Sequence, residues 1–92
     1  MRVDEISTIA IVGSGLMGHG IAQEFALAGF NVCMHDVSEE KLSLALKNIG
    51  ANLRMLIDIG TINQAQAGST LENISTYAEL KEAVGAADLV IE

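Results

Sequence analysis

Six residues, Gly13-Ser14-Gly15-Leu16-Met17-Gly18, constrain this chain more than any others. They fit the spacing G-x-G-x-x-G, a pattern that carries meaning only between a strand and a helix. Thr8-Ile9-Ala10-Ile11-Val12 precedes them, the uniformly apolar, β-branched run that a parallel strand covered on both faces presents. After them Met17, Ile21, Phe25 and Ala28 recur at helical spacing, which predicts a helix over residues 16–28. Gly29 stands where a left-handed residue would end that helix. Asn31-Val32-Cys33-Met34-His35-Asp36 reads as a second strand closing on a carboxylate. Strand, glycine turn, helix, glycine and strand make a βαβ unit, so the chain must build a parallel sheet with helical crossovers.

The turn in such a unit has a defined chemistry. The first glycine permits the tight bend, the second lets a pyrophosphate approach the backbone, and the third lets helix pack closely on strand. The helix N-terminus offers unpaired N–H groups and partial positive charge to phosphate oxygens. Asp36 lies eighteen residues after Gly18 and can accept hydrogen bonds from the hydroxyls of an adenosine ribose. It would repel a 2′-phosphate, and no Arg or Lys follows it until Lys41, so the pattern favours NAD over NADP. Domains that bind FAD share the fingerprint, and on the motif alone a flavin fits too. The plain structural alternatives are a ligand-free tight turn and a merely solvated acid at a strand end.

The remainder extends the same plan. Ser38 can cap the next helix, with Glu39 and Glu40 in its first turn at the positive end of the dipole. Leu42, Leu46, Ile49, Leu53 and Leu56 give a long amphipathic helix to about Ile59, weakened at Gly50 and ended by Gly60. Thr61-Ile62-Asn63-Gln64 has capping-box spacing and predicts a second, shorter helix through Ala67 or beyond. Residues 71–76 read as a third strand, 77–84 as a short helix, and Asp88 precedes a last strand at Leu89-Val90-Ile91.

Composition closes off other classes. Half of the 92 residues are hydrophobic, only 3% are aromatic and none is Pro or Trp, so the chain is ordered around one aliphatic core. A single cysteine, Cys33, excludes an internal disulfide framework and suits a reducing cytoplasm. No apolar run reaches the length of a membrane span, and the acidic start Met1-Arg2-Val3-Asp4-Glu5 is unlike a signal peptide. Twelve acidic residues against five basic ones give a charge of −7, unsuited to a nucleic-acid surface. His19 reads as an exposed residue near the phosphates, His35 as lining the strand or the adenine edge, and Cys33 as a small buried hydrophobe. Gly20 would permit one more close helix contact, and no metal-ligand spacing is present.

Beyond the glycines, three segments closely resemble the N-terminal domain of 3-hydroxyacyl-CoA dehydrogenases, in the style of the 3-hydroxybutyryl-CoA enzymes. They are residues 9–18, then Gly20-Ile21-Ala22-Gln23, then Ala28-Gly29-Phe30-Asn31-Val32. Ala87-Asp88-Leu89-Val90-Ile91-Glu92 is similar to that family's next strand. An independent feature agrees with the resemblance. Thirty-seven residues separate Asp36 from Ile74, room for a projecting helical pair where an ordinary dinucleotide-binding domain has one modest helix. The 3-hydroxyisobutyrate and 6-phosphogluconate dehydrogenases also carry Met-Gly in the glycine loop, but their connection is shorter.

The resemblance implies an α/β fold of Rossmann type, its first half in strand order 3-2-1-4, with a helical pair inserted between strands two and three. It implies NAD held by Gly13, Ser14, Gly15, Leu16, Met17, Gly18 and Asp36. The family's coenzyme A contacts, a serine and later basic residues, fall near Asn52 and Ile59, with Arg54 and Lys47 the neighbouring cations and Asp58 a nearby acid. An aliphatic residue at 59 leaves room for a carrier-protein thioester in place of acyl-CoA. The family's reaction resembles reversible hydride transfer between a 3-hydroxyacyl thioester and NAD, with a His–Glu pair, a Ser and an Asn that all follow the last strand here. Residues 1–92 are therefore expected to be an incomplete cofactor domain, with no catalytic residue, of a longer, homodimeric cytoplasmic enzyme. A nucleotide-binding or interaction module without catalysis is the contrasting expectation.

Overall fold

A computed structural model describes residues 6–13, 16–85 and 87–92, with side chains for all of these but residues 16–18. Four strands, β1 (Thr8–Val12), β2 (Asn31–His35), β3 (Ile74–Tyr77) and β4 (Leu89–Ile91), form one parallel sheet in the order β3-β2-β1-β4. Helix α1 (Leu16–Leu27) joins β1 to β2, α2 (Glu39–Asp58) and α3 (Gln64–Glu72) join β2 to β3, and α4 (Leu80–Val84) leads to β4. This is the expected first half of a Rossmann-type fold with its helical pair in place. Among the described residues no helix is long and apolar enough to cross a membrane.

Register explains the core. Ile9 lies beside Val32, and Val32 beside Ile74; Ile11 lies beside Met34. Alternation along strands puts these residues on one face. There they are buried with Ala22 and Ala26 of α1, Leu42, Ala45, Ile49 and Leu53 of α2, and Ala67 of α3. Ala10 points the other way and is fully buried beneath α4, whose Ala83 is buried too.

Glycine ends both long helices. Gly29 has φ +100°, its N–H donates to Ala26 O, and the N–H of Phe30 reaches back to Phe25 O at 3.1 Å. Phe25 and Phe30 meet edge to face, 5.7 Å between ring centres, the apolar contact that accompanies this helix stop. Gly60, at φ +81°, repeats the device, with Gly60 N–H on Ile57 O and Thr61 N–H on Leu56 O.

That second stop corrects one expectation. The N–H of Thr61 already closes α2, so the capping box of α3 starts two residues later. Asn63 Oδ1 accepts the N–H of Gln66 at 2.8 Å and Gln66 Oε1 accepts the N–H of Asn63 at 2.9 Å. Three boundaries also move. Leu71 belongs to α3 and not to a strand, Tyr77 closes β3 and does not open a helix, and β2 stops at His35. At Gly20, a Cβ would meet nothing within 4 Å, so no close packing requires that glycine. Gly50 likewise has open space inside α2.

One carboxylate ties β4 to β1. Asp88 Oδ2 accepts the N–H groups of Ser7 and Thr8 at 2.9 and 3.0 Å and the Ser7 hydroxyl at 3.2 Å. The N–H of Asp88 returns a bond to Thr8 O at 2.8 Å. The backbone donations from Ser7 and then Thr8 hold this carboxyl below its ordinary value of 3.8. A lowered folded-state pKa stabilises the fold above the unfolded value and loses that effect as pH falls through the folded one. Asp88→Ala is therefore expected to lower the urea midpoint at pH 7, with the deficit shrinking as pH drops below 3.8. Urea titrations of both proteins across that range check it.

Candidate functional site

The ends of three strands stand level at the carboxyl edge of the sheet. Val12 lies beside His35, and His35 beside Tyr77. Each chain then leaves with a hydrogen bond that extends the ladder by one step. Gly13 N–H donates to His35 O at 2.8 Å, and Asp36 N–H donates to Tyr77 O at 3.3 Å. Gly13 and Asp36, 23 positions apart in sequence, thus emerge side by side. Gly13 has φ +89°, a conformation that L side chains rarely adopt, and only open space stands where its Cβ would be.

The bend delivers the chain to the start of α1 three residues later. No acidic residue occupies the first turn of α1, whereas Glu39 and Glu40 sit in that of α2. The partial positive charge at the start of α1 is thus uncompensated by its own side chains and available to an anion. From β1 the chain crosses by α1 to β2 on one side, while β4 pairs on the other side. The start of α1 therefore stands at the point where strand order reverses, the place where open α/β sheets bind ligands.

Asp36 is half-buried, and its Oδ1 accepts the N–H of Ser38 at 2.9 Å. Ser38 in turn caps α2 by accepting the N–H of Lys41 at 3.3 Å. The acid is thereby oriented by the backbone that follows it, and Lys41 is exposed. A permissive bend, an open space, an uncompensated helix start and an oriented acid fit the phosphates and adenosine ribose of NAD. Ser14 and Gly15 lie outside the described residues, as do the side chains of Leu16, Met17 and Gly18, although residues 16–18 form the first turn of α1.

The substrate-side candidates lie elsewhere. Asn52 is thirteen residues into α2, about 20 Å along the axis at 1.5 Å per residue. Its Nδ2 donates to Gln23 Oε1 of α1 at 3.0 Å, so its amide is engaged inside the protein. Arg54 and Lys47 are exposed. Ile59 ends α2 and is 73% exposed, so the position that the resemblance gives to a basic contact presents an aliphatic surface.

Two histidine expectations meet the structure differently. His19 is only 7% exposed, because it falls on the inward stripe of α1 with Ala22, Gln23 and Ala26. The expected exposed position is therefore corrected. His35 is equally buried within the sheet, and its Nδ1 has no hydrogen-bond partner among the described residues. Cys33 is half-buried and not fully so; burial raises its thiol pKa, partly offset by a hydrogen bond with Tyr77. Sequence reasoning gave no role to Gln23, whose place four residues after His19 on one helix face was the available signal.

Comparison with known proteins decides the family. The family model for the NAD-binding domain of 3-hydroxyacyl-CoA dehydrogenases matches residues 8–92. The chain belongs to that family. This NAD-binding domain is 37% identical over 87 residues to 3-hydroxyadipyl-CoA dehydrogenase of Escherichia coli K12, covering 95% of the chain and 18% of the relative. It is 40% identical over 88 residues to a probable 3-hydroxybutyryl-CoA dehydrogenase of Bacillus subtilis 168, covering 96% of the chain and 30% of the relative. The crystal structure of (S)-3-hydroxybutyryl-CoA dehydrogenase from Ralstonia eutropha superposes with TM-score 0.89 at 34% identity, over 92% of the chain and 30% of that structure. The domain thus spans less than a third of each of these relatives.

Gly13→Ala forces a side chain into the left-handed region, where strain costs about 1–2 kcal/mol. It is expected to lower the thermal midpoint and weaken NAD binding together, as measured by calorimetry with and without NAD.

Proposed function

We propose that residues 1–92 are the cofactor-holding part of an NAD-dependent 3-hydroxyacyl-CoA dehydrogenase that interconverts 3-hydroxyacyl and 3-oxoacyl thioesters. The observation that carries this reading is the adjacency of Gly13 and Asp36 at the carboxyl edge of a sheet whose sequence matches the family from residue 8 onward. When bound, NAD supplies the hydride acceptor. The chain's own residues bind and orient it. The backbone from Gly13 to Gly18 and the start of α1 hold the pyrophosphate, and Asp36, fixed by Ser38, accepts the ribose hydroxyls. The acid disfavours a 2′-phosphate through charge repulsion.

The names of the relatives, 3-hydroxyadipyl-CoA and 3-hydroxybutyryl-CoA dehydrogenase, support acyl-CoA as the substrate class. Catalytic acid–base work is assigned to residues beyond this domain. His19 and His35 are both buried and poorly placed to exchange protons with a substrate. A homodimeric parent acting in the cytoplasm belongs to the same proposal.

Titration calorimetry tests the cofactor assignment. The chain is expected to bind NAD in preference to NADP. Asp36→Ala should weaken NAD binding by roughly tenfold to a hundredfold, the value of hydrogen bonds to a charged acceptor, and narrow the gap to NADP. Equal affinity of the unaltered chain for both cofactors would overturn the role of Asp36. In the same samples no reduction of acetoacetyl-CoA by NADH is expected, and measurable turnover would place catalytic groups within the domain.

A further inference from the structure

Helix α1 turns a small-residue surface toward the core. Ala22 and Ala26 are buried there beside the aliphatic stripe Leu42, Ala45, Ile49 and Leu53 of α2. Such packing favours a small set of crossing angles but carries no directional polar group to choose one register. At its start α2 is anchored through Ser38 to Asp36. Its far end returns through α3, where Asn73 Nδ2 donates to Ala26 O of α1 at 3.4 Å, into β3 of the sheet.

The hydrogen bond from Asn52 Nδ2 to Gln23 Oε1 lies fourteen residues beyond Ser38, about 20 Å along the helix. Among the described residues it is the one side chain to side chain hydrogen bond joining two helices. Gln23 is only 8% exposed, so any swing that parts the pair leaves a buried amide without its donor. Aliphatic neighbours impose no such penalty. A single polar pair within an apolar helix seam fixes register in the way a lone core asparagine does in coiled coils.

We infer that Gln23 and Asn52 form a polar pin that sets the register of α2 on the cofactor helix, making both positioning residues and not substrate contacts. Leu53 beside it is buried in the core and α3 is held by Ala67 and Asn73, so the pin acts on the turn of α2 that carries Arg54 and Met55. That this turn faces a thioester rests on the function proposed above; the pin does not.

The test uses amide NMR spectra of the full chain. In Gln23→Leu/Asn52→Leu, apolar groups replace both partners, and the protein is expected to melt within a few degrees of the unaltered chain. Its amides from residues 49 to 58 of α2 should broaden or double, while those of β1 and β2 stay single. Gln23→Glu keeps an acceptor for Asn52 and should restore one sharp set. One sharp set at unaltered shifts in the double variant would overturn the pin, as would equal disorder in Gln23→Glu. Should the double variant not fold, Asn52→Ala carries the same expectation and the same overturning result. NAD titration of these samples reads the cofactor site separately, so failure of the proposed function and failure of the pin are distinguishable.

Discussion

One backbone hydrogen bond, from Gly13 N–H to His35 O, holds the site together. It prolongs the β1–β2 ladder by one residue at the moment when φ +89° turns the chain away from the sheet. The bend is thereby rigid although it is glycine, because its donor is fixed to the neighbouring strand. The same carbonyl belongs to the residue before Asp36. The backbone proposed to hold phosphate and the acid proposed to hold ribose are thus coupled through a single peptide group.

The helical pair depends on a different device, repeated. Gly29 and Gly60 each stop a helix with a left-handed residue and two reversed hydrogen bonds. At Gly60 the stop hands over directly to the reciprocal Asn63–Gln66 cap of α3. The turn between the helices therefore satisfies its own polar groups without borrowing from the core. This lets the arm extend from the sheet while the stripe from Leu42 to Leu53 and Ala67 is buried in the core and Leu56, Ile57 and Ile62 pack against it.

Local backbone chemistry was readable because it is written in neighbouring residues. Gly13, Gly29 and Gly60 take the conformations their places in the motif demand, and Ser38 caps the helix it precedes. Where two local signals competed, reading failed. Thr61 has the right spacing for a cap, but its N–H closes the preceding helix, and no property of Thr61 reveals that. Leu71 stands between Thr70 and Glu72 in a stretch whose pattern suits strand or helix, and only pairing decides it. The burial of His19 was hidden because apolar periodicity locates a face without saying which polar residues share it. The pairing of Gln23 with Asn52 spans 29 residues and depends on how two helices cross, information carried by the fold and not by either segment. The position of Asn52 suggested a ligand contact through resemblance, whereas the packing gives it an internal partner.

Asp88 joins residues 81 positions apart, and this has a consequence for how the chain is made. On the ribosome β1 emerges early and can pair with β2 at once, since a helix of twelve residues separates them. Its other edge has no partner until β4 emerges, and at roughly 5–20 residues per second that interval lasts on the order of 4–16 s. Throughout it, the central strand of the finished sheet is an edge strand. Asp88 leaves the ribosome just before Leu89 to Ile91, and its bonds to Ser7 and Thr8 stand at the foot of the strand, where they define the register in which those three residues pair with β1.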